Sequence, residues 1–230
     1  MNTIRTQKRP PALENGDRLS RAEFERRYKA MPQVKKAELI EGEVYMGSPV
    51  GWEGHAEPQI DLSTWLGTYK ALTPGIAAAD NATVRLDSKN EPQPDAALFV
   101  RPEFGGRVRK SGKYIAGAPE LVAEVSGSTA SVDLNRKFEV YLRNRVREYV
   151  VWRTYDEALD WFTLRENEFV RLEADPADGL LKSAAFPGLW LDAAALLSRD
   201  LAKVLSSLAR GTASPEHAEF VAELASRKKA

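Results

Sequence analysis

Gln93-Pro94-Asp95, then Leu121-Val122-Ala123-Glu124-Val125-Ser126, then Asp133 and Lys137 are the residues on which the fold reading turns. The middle segment is apolar apart from one acid, and an unpaired carboxylate buried there costs several kcal/mol or takes up a proton. A cationic partner is therefore expected at Glu124. Neighbouring strands lie only about 5 Å apart, so Asp95 at the start of one strand and Glu124 inside another can converge on one face. Two such carboxylates offer oxygen ligands to a hard divalent ion, Mg2+ or Mn2+ rather than Zn2+. Asp133 and Lys137 are four apart on a predicted helix and share a face. If that helix packs beside the Glu124 strand, Lys137 reaches the acids. Each piece also has an ordinary use: Pro94-Asp95 as a turn, Glu124 as half of a core ion pair, Asp133 and Lys137 as a surface pair.

Outward from this stretch, the apolar periodicity alternates between helix and strand. Ser20 followed by Glu23 has the capping-box spacing of a short helix start. Residues 37–46 read as a hairpin turning near Glu41-Gly42. Ile60, Leu62, Trp65, Leu66, Tyr69 and Leu72 recur at helical spacing until Thr73-Pro74-Gly75. Strands are expected at 76–79, 82–86, 96–100, 121–125 and 148–152, with a helix over 133–144 and a strand pair over 158–172 turning at Glu166-Asn167. The glycine-rich, basic stretch 105–113 reads as a mobile surface loop. Residues 192–210 and 215–227 read as helical. This order implies an α/β protein with a mixed central sheet flanked by helices.

Composition narrows the function. The chain has 230 residues, 43% hydrophobic and 29% charged, with 33 basic against 33 acidic side chains. Such a chain buries a sizeable core, and its balanced charge steers it toward neither nucleic acid nor an anionic membrane, so any polyanion contact is local. With no cysteine, disulfides, thiolate metal sites and cysteine nucleophiles are excluded. The apolar runs are too short for a membrane span and the first residues lack a secretory signal, so the protein is expected to be cytoplasmic. No glycine-rich phosphate cradle lies between a strand and a helix.

The ordered set Glu38-Leu39-Ile40-Glu41-Gly42-Glu43, His55, Pro94-Asp95, Pro119 to Val125, Asp133 with Lys137, Tyr141, and Val146 to Trp152 resembles the Uma-type putative restriction endonuclease family of the PD-(D/E)XK nuclease superfamily. The resemblance covers about residues 17–195 and implies a restriction-endonuclease-like fold. It is preceded by a tail at 1–16 and followed by a helical extension at 196–230. Asp95 and Glu124 match the metal-binding acids. Ser126 stands where the superfamily usually has its lysine, and Lys137 on the following helix is the implied substitute. Glu41, His55 and Asp133 are implied accessory residues. The implied activity is Mg2+- or Mn2+-dependent hydrolysis of nucleic acid, DNA first, by catalytic Asp95, Glu124 and Lys137. Arg107, Arg109, Lys110 and Lys113 in the glycine-rich stretch and Arg143, Arg145 and Arg147 after the helix are candidates to grip the substrate. The apolar faces of 193–197 and 220–224 suit either core packing or a homodimer. A catalytically inactive module binding nucleic acid or a protein partner stays open, and the position of the three catalytic side chains distinguishes the two.

Overall fold

The computed structural model describes residues 10–47, 49–127 and 131–228; the sequence-predicted tail lies outside the described residues over 1–9. In chain order the elements are α1 (Arg21–Lys29), β1 (Ala37–Ile40), β2 (Glu43–Met46), α2 (Glu57–Leu72), β3 (Ile76–Asp80), β4 (Val84–Arg85) and β5 (Ala96–Val100). Next come β6 (Arg109–Ser111), β7 (Tyr114–Ala116), β8 (Leu121–Ser126), α3 (Phe138–Arg143), β9 (Glu148–Arg153), β10 (Ala158–Arg165) and β11 (Glu168–Arg171). β12 (Leu181–Lys182), β13 (Trp190–Leu191), α4 (Ala193–Leu197), α5 (Leu201–Thr212) and α6 (Pro215–Arg227) complete the chain. Two π-helical turns, Trp52–Ala56 and Val132–Lys137, lead into α2 and α3.

The central sheet has six strands in the order β11-β10-β9-β8-β5-β3. Only β8 and β9 run parallel, because α3 and the turn before it form the crossover that a parallel pair requires. All six residues of β8 are buried, as expected of a strand covered on both faces. On one face, Leu121, Ala123 and Val125 join Val150, Trp152 and Trp161 against Leu62, Trp65, Leu66 and Tyr69 of α2 and Val204 and Leu208 of α5. On the other, Val122, Tyr149 and Val151 pack against Tyr141 and Val146. Period-two alternation therefore sends Glu124 to the α3 face.

In α2 the buried residues are Pro58 and Gln59 and then the i, i+3, i+4, i+7 stripe Leu62, Trp65, Leu66 and Tyr69, whereas Ile60 and Leu72 are exposed. Trp65 meets Trp161 edge to face, centroids 5.6 Å apart. The α1 start is capped by the Ser20 hydroxyl, which accepts from Glu23 N. α1 closes the β1–β2 hairpin through a smaller core of Phe24, Ala37, Leu39 and Val44, which also takes in Leu13. Pro10 to Gly16 is thus anchored by Leu13 and by the Gly16 N–H on the Val44 carbonyl.

Three elements differ from the sequence reading. Of the stretch 105–113, Arg109–Ser111 forms β6, which hairpins onto β7, and β7 pairs with β4 in a separate three-stranded sheet. Backbone pairing with its neighbours outweighs its glycine content. The expected strand at 82–86 is reduced to Val84–Arg85. The helix over 192–210 is broken by Ser198-Arg199-Asp200, with Arg199 at φ 63° and Asp200 capping α5. Leu196, Phe220 and Leu224 are buried in the main core, so the apolar faces of these C-terminal segments are used within the molecule. Among the described residues no helix is long and apolar enough to cross a membrane.

Candidate active site

Pro92 and Pro94 lock the approach to β5 into extended backbone. The β5–β8 register pairs Ala96 with Ala123, and one step further it sets Asp95 directly opposite Glu124. Both side chains lie on the α3 face and are 2% exposed. Val125 N donates to Asp95 Oδ2 at 2.9 Å and Asp95 N to Glu124 Oε2 at 3.4 Å. The two acids converge as the sequence suggested.

Cations meet both. Lys36 Nζ lies 2.9 Å from Asp95 Oδ1, and His55 Nε2 lies 3.2 Å from Asp95 Oδ2. Lys137 Nζ sits among three acids, 3.0 Å from Glu124, 3.2 Å from Glu38 and 3.4 Å from Asp133. The Tyr141 hydroxyl donates to Glu124 Oε1 at 2.9 Å. Gln93 N donates to Glu38 Oε1, and the Ser126 hydroxyl to Asp133 Oδ2. Gln59 Nε2 fixes the loop before β5 by donating to the Asp95 carbonyl at 2.6 Å and to Asp80.

The electrostatics are unbalanced. Four acids, Glu38, Asp95, Glu124 and Asp133, face two lysines and one histidine. Carboxylates thus outnumber the basic side chains in the cluster. Burial, reinforced by the neighbouring acids Asp95, Asp133 and Glu38 and opposed by Lys137, pushes Glu124 up to about 8. Burial also works against the Asp95 anion, but the His55 hydrogen bond and the charges of Lys36, His55 and Lys137 outweigh it and hold Asp95 below the usual carboxylate range. Lys137 and Lys36 are raised: burial opposes their charge, and the acids around them prevail.

This donor set fits a hard divalent ion. Among the described residues no three His, Cys, Asp or Glu side chains are grouped as a complete metal site. Mg2+ does not require one, since it keeps several waters and binds through one or two carboxylates plus substrate phosphate. Asp95 and Glu124 would hold it.

The side chains open into a cleft of about 570 Å3 whose walls include Lys36, Glu38, His55, Asp95, Glu124 and Lys137. Val50, Ile60 and Tyr155 also line it and are 62%, 64% and 72% exposed. Trp52, on the same turn as His55, is 71% exposed. Tyr155 lies over Gly54, where an added Cβ would fall 2.8 Å from its hydroxyl. Thr154 Oγ1 donates to the Gly54 carbonyl and ties the strand end to this turn.

The structure therefore brings together Asp95, Glu124, Lys137, His55 and Asp133. It leaves Glu41 outside the cleft, exposed in the β1–β2 turn and paired with Arg143. Arg107, Arg109, Lys110 and Lys113 do not line the cleft either; they belong to the β6–β7 hairpin and its approach. Sequence reasoning missed Lys36, which precedes β1 as half of an ordinary Lys35-Lys36 pair with nothing to mark it. It gave no role to Glu38, Gln59 or Tyr141. Gln59 had a usable signal, a polar residue three before Leu62 on the buried stripe of α2.

The family model for Uma2, described as "putative restriction endonuclease", matches residues 21–194. The chain belongs to the Uma2 family. No curated protein matches it. Among solved structures, a protein from Anabaena variabilis ATCC 29413, described as a putative nuclease belonging to DUF820, superposes with a TM-score of 0.54 at 15% identity. The match covers 75% of this chain and 96% of that one, which fixes this Uma2 chain as a mixed α/β protein of the same fold.

Proposed function

We propose that this Uma2 protein is a divalent-metal-dependent endonuclease that hydrolyses phosphodiester bonds of nucleic acid, DNA in the first place. The observation that carries the reading is the meeting of Asp95 and Glu124 in one open cleft where carboxylates outnumber basic side chains. Asp95 and Glu124 would hold Mg2+ or Mn2+, which would supply Lewis-acid polarisation of the phosphate and lower the pKa of a water. Lys137, fixed by Glu124, Glu38 and Asp133, would hold positive charge toward the charge developing on phosphorus. Lys36, its side chain 32% exposed, stands at the open side to meet a phosphate oxygen. His55, 27% exposed, is placed to hold the proton released when water oxygen bonds to phosphorus and the P–O bond to the leaving oxygen breaks. No covalent intermediate is required.

The test uses purified protein with plasmid and short single- and double-stranded substrates, with Mg2+, Mn2+ or chelator. Cleavage is expected with metal only. Asp95→Asn and Glu124→Gln should each lower it by at least about 10²-fold, the scale of losing one group that stabilises transition-state charge, with unchanged circular dichroism. Undiminished cleavage by both variants rejects the assigned site. A wild type that binds these substrates and cuts none is the non-catalytic module instead.

A further inference from the structure

A second charged concavity lies at the opposite end of β8 and β9. There Arg107, Arg145, Arg147 and Arg165 surround a recess of about 400 Å3. The catalytic cleft opens beyond Glu124 and Val125, whereas this recess sits where Glu120 accepts the Arg147 and Glu148 amides. Four residues of extended strand, roughly 13 Å, separate Glu120 from Glu124.

Two of the guanidiniums are held in place by the protein itself. Arg107 donates to the Arg145 carbonyl at 2.7 Å and to Ala118 O, with its Nε 3.5 Å from Glu120. Arg145 donates to Glu166 O and Asn167 Oδ1, both at 2.7 Å. Arg147 and Arg165 have no ion pair or side-chain hydrogen bond among the described residues, and both are exposed. Two acids line the recess, Glu148 and Glu166; Glu148 is buried and already accepts from Ser183 Oγ, Ala184 N and Ala185 N. Glu166 is exposed in the β10–β11 turn. Like charge is concentrated: burial and then the charges of Arg147 and Arg145 push the Arg107 guanidinium down, against the pull of Glu120. Gathering four guanidiniums is unfavourable unless an anion joins them, and planar forks suit phosphate oxygens best.

We propose that this recess is a second, phosphate-binding site, separate from the catalytic cleft. Its ligand is a phosphate group, either free or terminal on a small molecule, or carried by a nucleic-acid backbone. The site does not depend on the nuclease reading, because none of its arginines lines the cleft.

Inorganic phosphate and a double-stranded oligonucleotide are the probes, both without divalent metal. They are compared on wild type, on the double variant Arg147→Gln with Arg165→Gln, and on Asp95→Asn. Because both arginines are exposed and make no pairing of their own, the double variant should keep its circular dichroism. Saturable binding of inorganic phosphate by calorimetry, weakened at least about tenfold in the arginine variant and unchanged in Asp95→Asn, supports the site. A fall of about 1.8 in the slope of log affinity against log salt for the oligonucleotide, two phosphate contacts at about 0.9 each, assigns the phosphate to a nucleic-acid backbone. Lost phosphate binding with an unchanged slope assigns it to a free ligand. If neither phosphate affinity nor salt slope differs between wild type and the arginine variant, the proposal is overturned.

Discussion

Lys137 is 7% exposed and faces three carboxylates within 3.4 Å, so its removal is not a purely catalytic change. Taking away one partner of a buried ion cluster leaves uncompensated charge and typically costs about 3–5 kcal/mol. Lys137→Ala should therefore lower stability by that order in urea melts. Lys36 is the cleaner probe of the site. Its ammonium is more exposed than that of Lys137, so Lys36→Ala should cost less stability than Lys137→Ala while weakening substrate binding in the cleavage assay. Away from the cleft, His217 is 6% exposed, with Nε2 2.9 Å from Thr73 Oγ1. Burial lowers its pKa from 6.5, with a backbone hydrogen bond to Thr212 opposing. Below 6.5 the unfolded chain binds more protons at this position than the folded one. The stabilisation is therefore present above 6.5 and lost as pH falls through the depressed folded value. Thermal midpoints of wild type should drop on acidification more steeply than those of His217→Gln.

At the scale of elements, the two π-helical turns place most of the chemistry that strands alone do not. His55 lies on the first and Asp133 and Lys137 on the second, and such widened turns recur at functional sites. Sequence periodicity gave 133–144 as one helix with Asp133 and Lys137 on a shared face. That pairing is present, but the π turn into α3 carries both residues. The helix α5 depends on a close approach: a Cβ at Gly211 would lie 2.3 Å from Gly188 O and 2.8 Å from the Trp190 ring. Neither backbone nor a packed indole yields easily, so Gly211→Ala should destabilise by about 1–3 kcal/mol. Denaturant titration should show the shift in midpoint with an unchanged slope.

For the whole molecule, α5 and α6 are part of the main core rather than an appendage, since Val204, Leu208, Phe220 and Leu224 join it. Each buried side chain of this size contributes about 1.5–3 kcal/mol, so the four together approach the full stability of an ordinary domain, about 5–15 kcal/mol. A chain ending at Ser198 should lack a cooperative melting transition. Its exposed sheet face should also make it aggregate in size-exclusion chromatography.

The sequence by itself determined the succession of helices and strands around the site, the apolar stripe of α2 and the place of one acid before β5 and one inside β8. Those follow from local periodicity and from the rarity of an acid inside an apolar strand. Tertiary structure alone decided that Lys36, Glu38 and Gln59 complete the cluster, that the basic residues 107–113 stand away from it, and that Arg109–Ser111 forms a hairpin strand. These depend on which segments the sheet register and crossovers bring within hydrogen-bond reach. A lysine or glutamate on the surface of a hairpin and one at a buried ion cluster have the same local sequence signature.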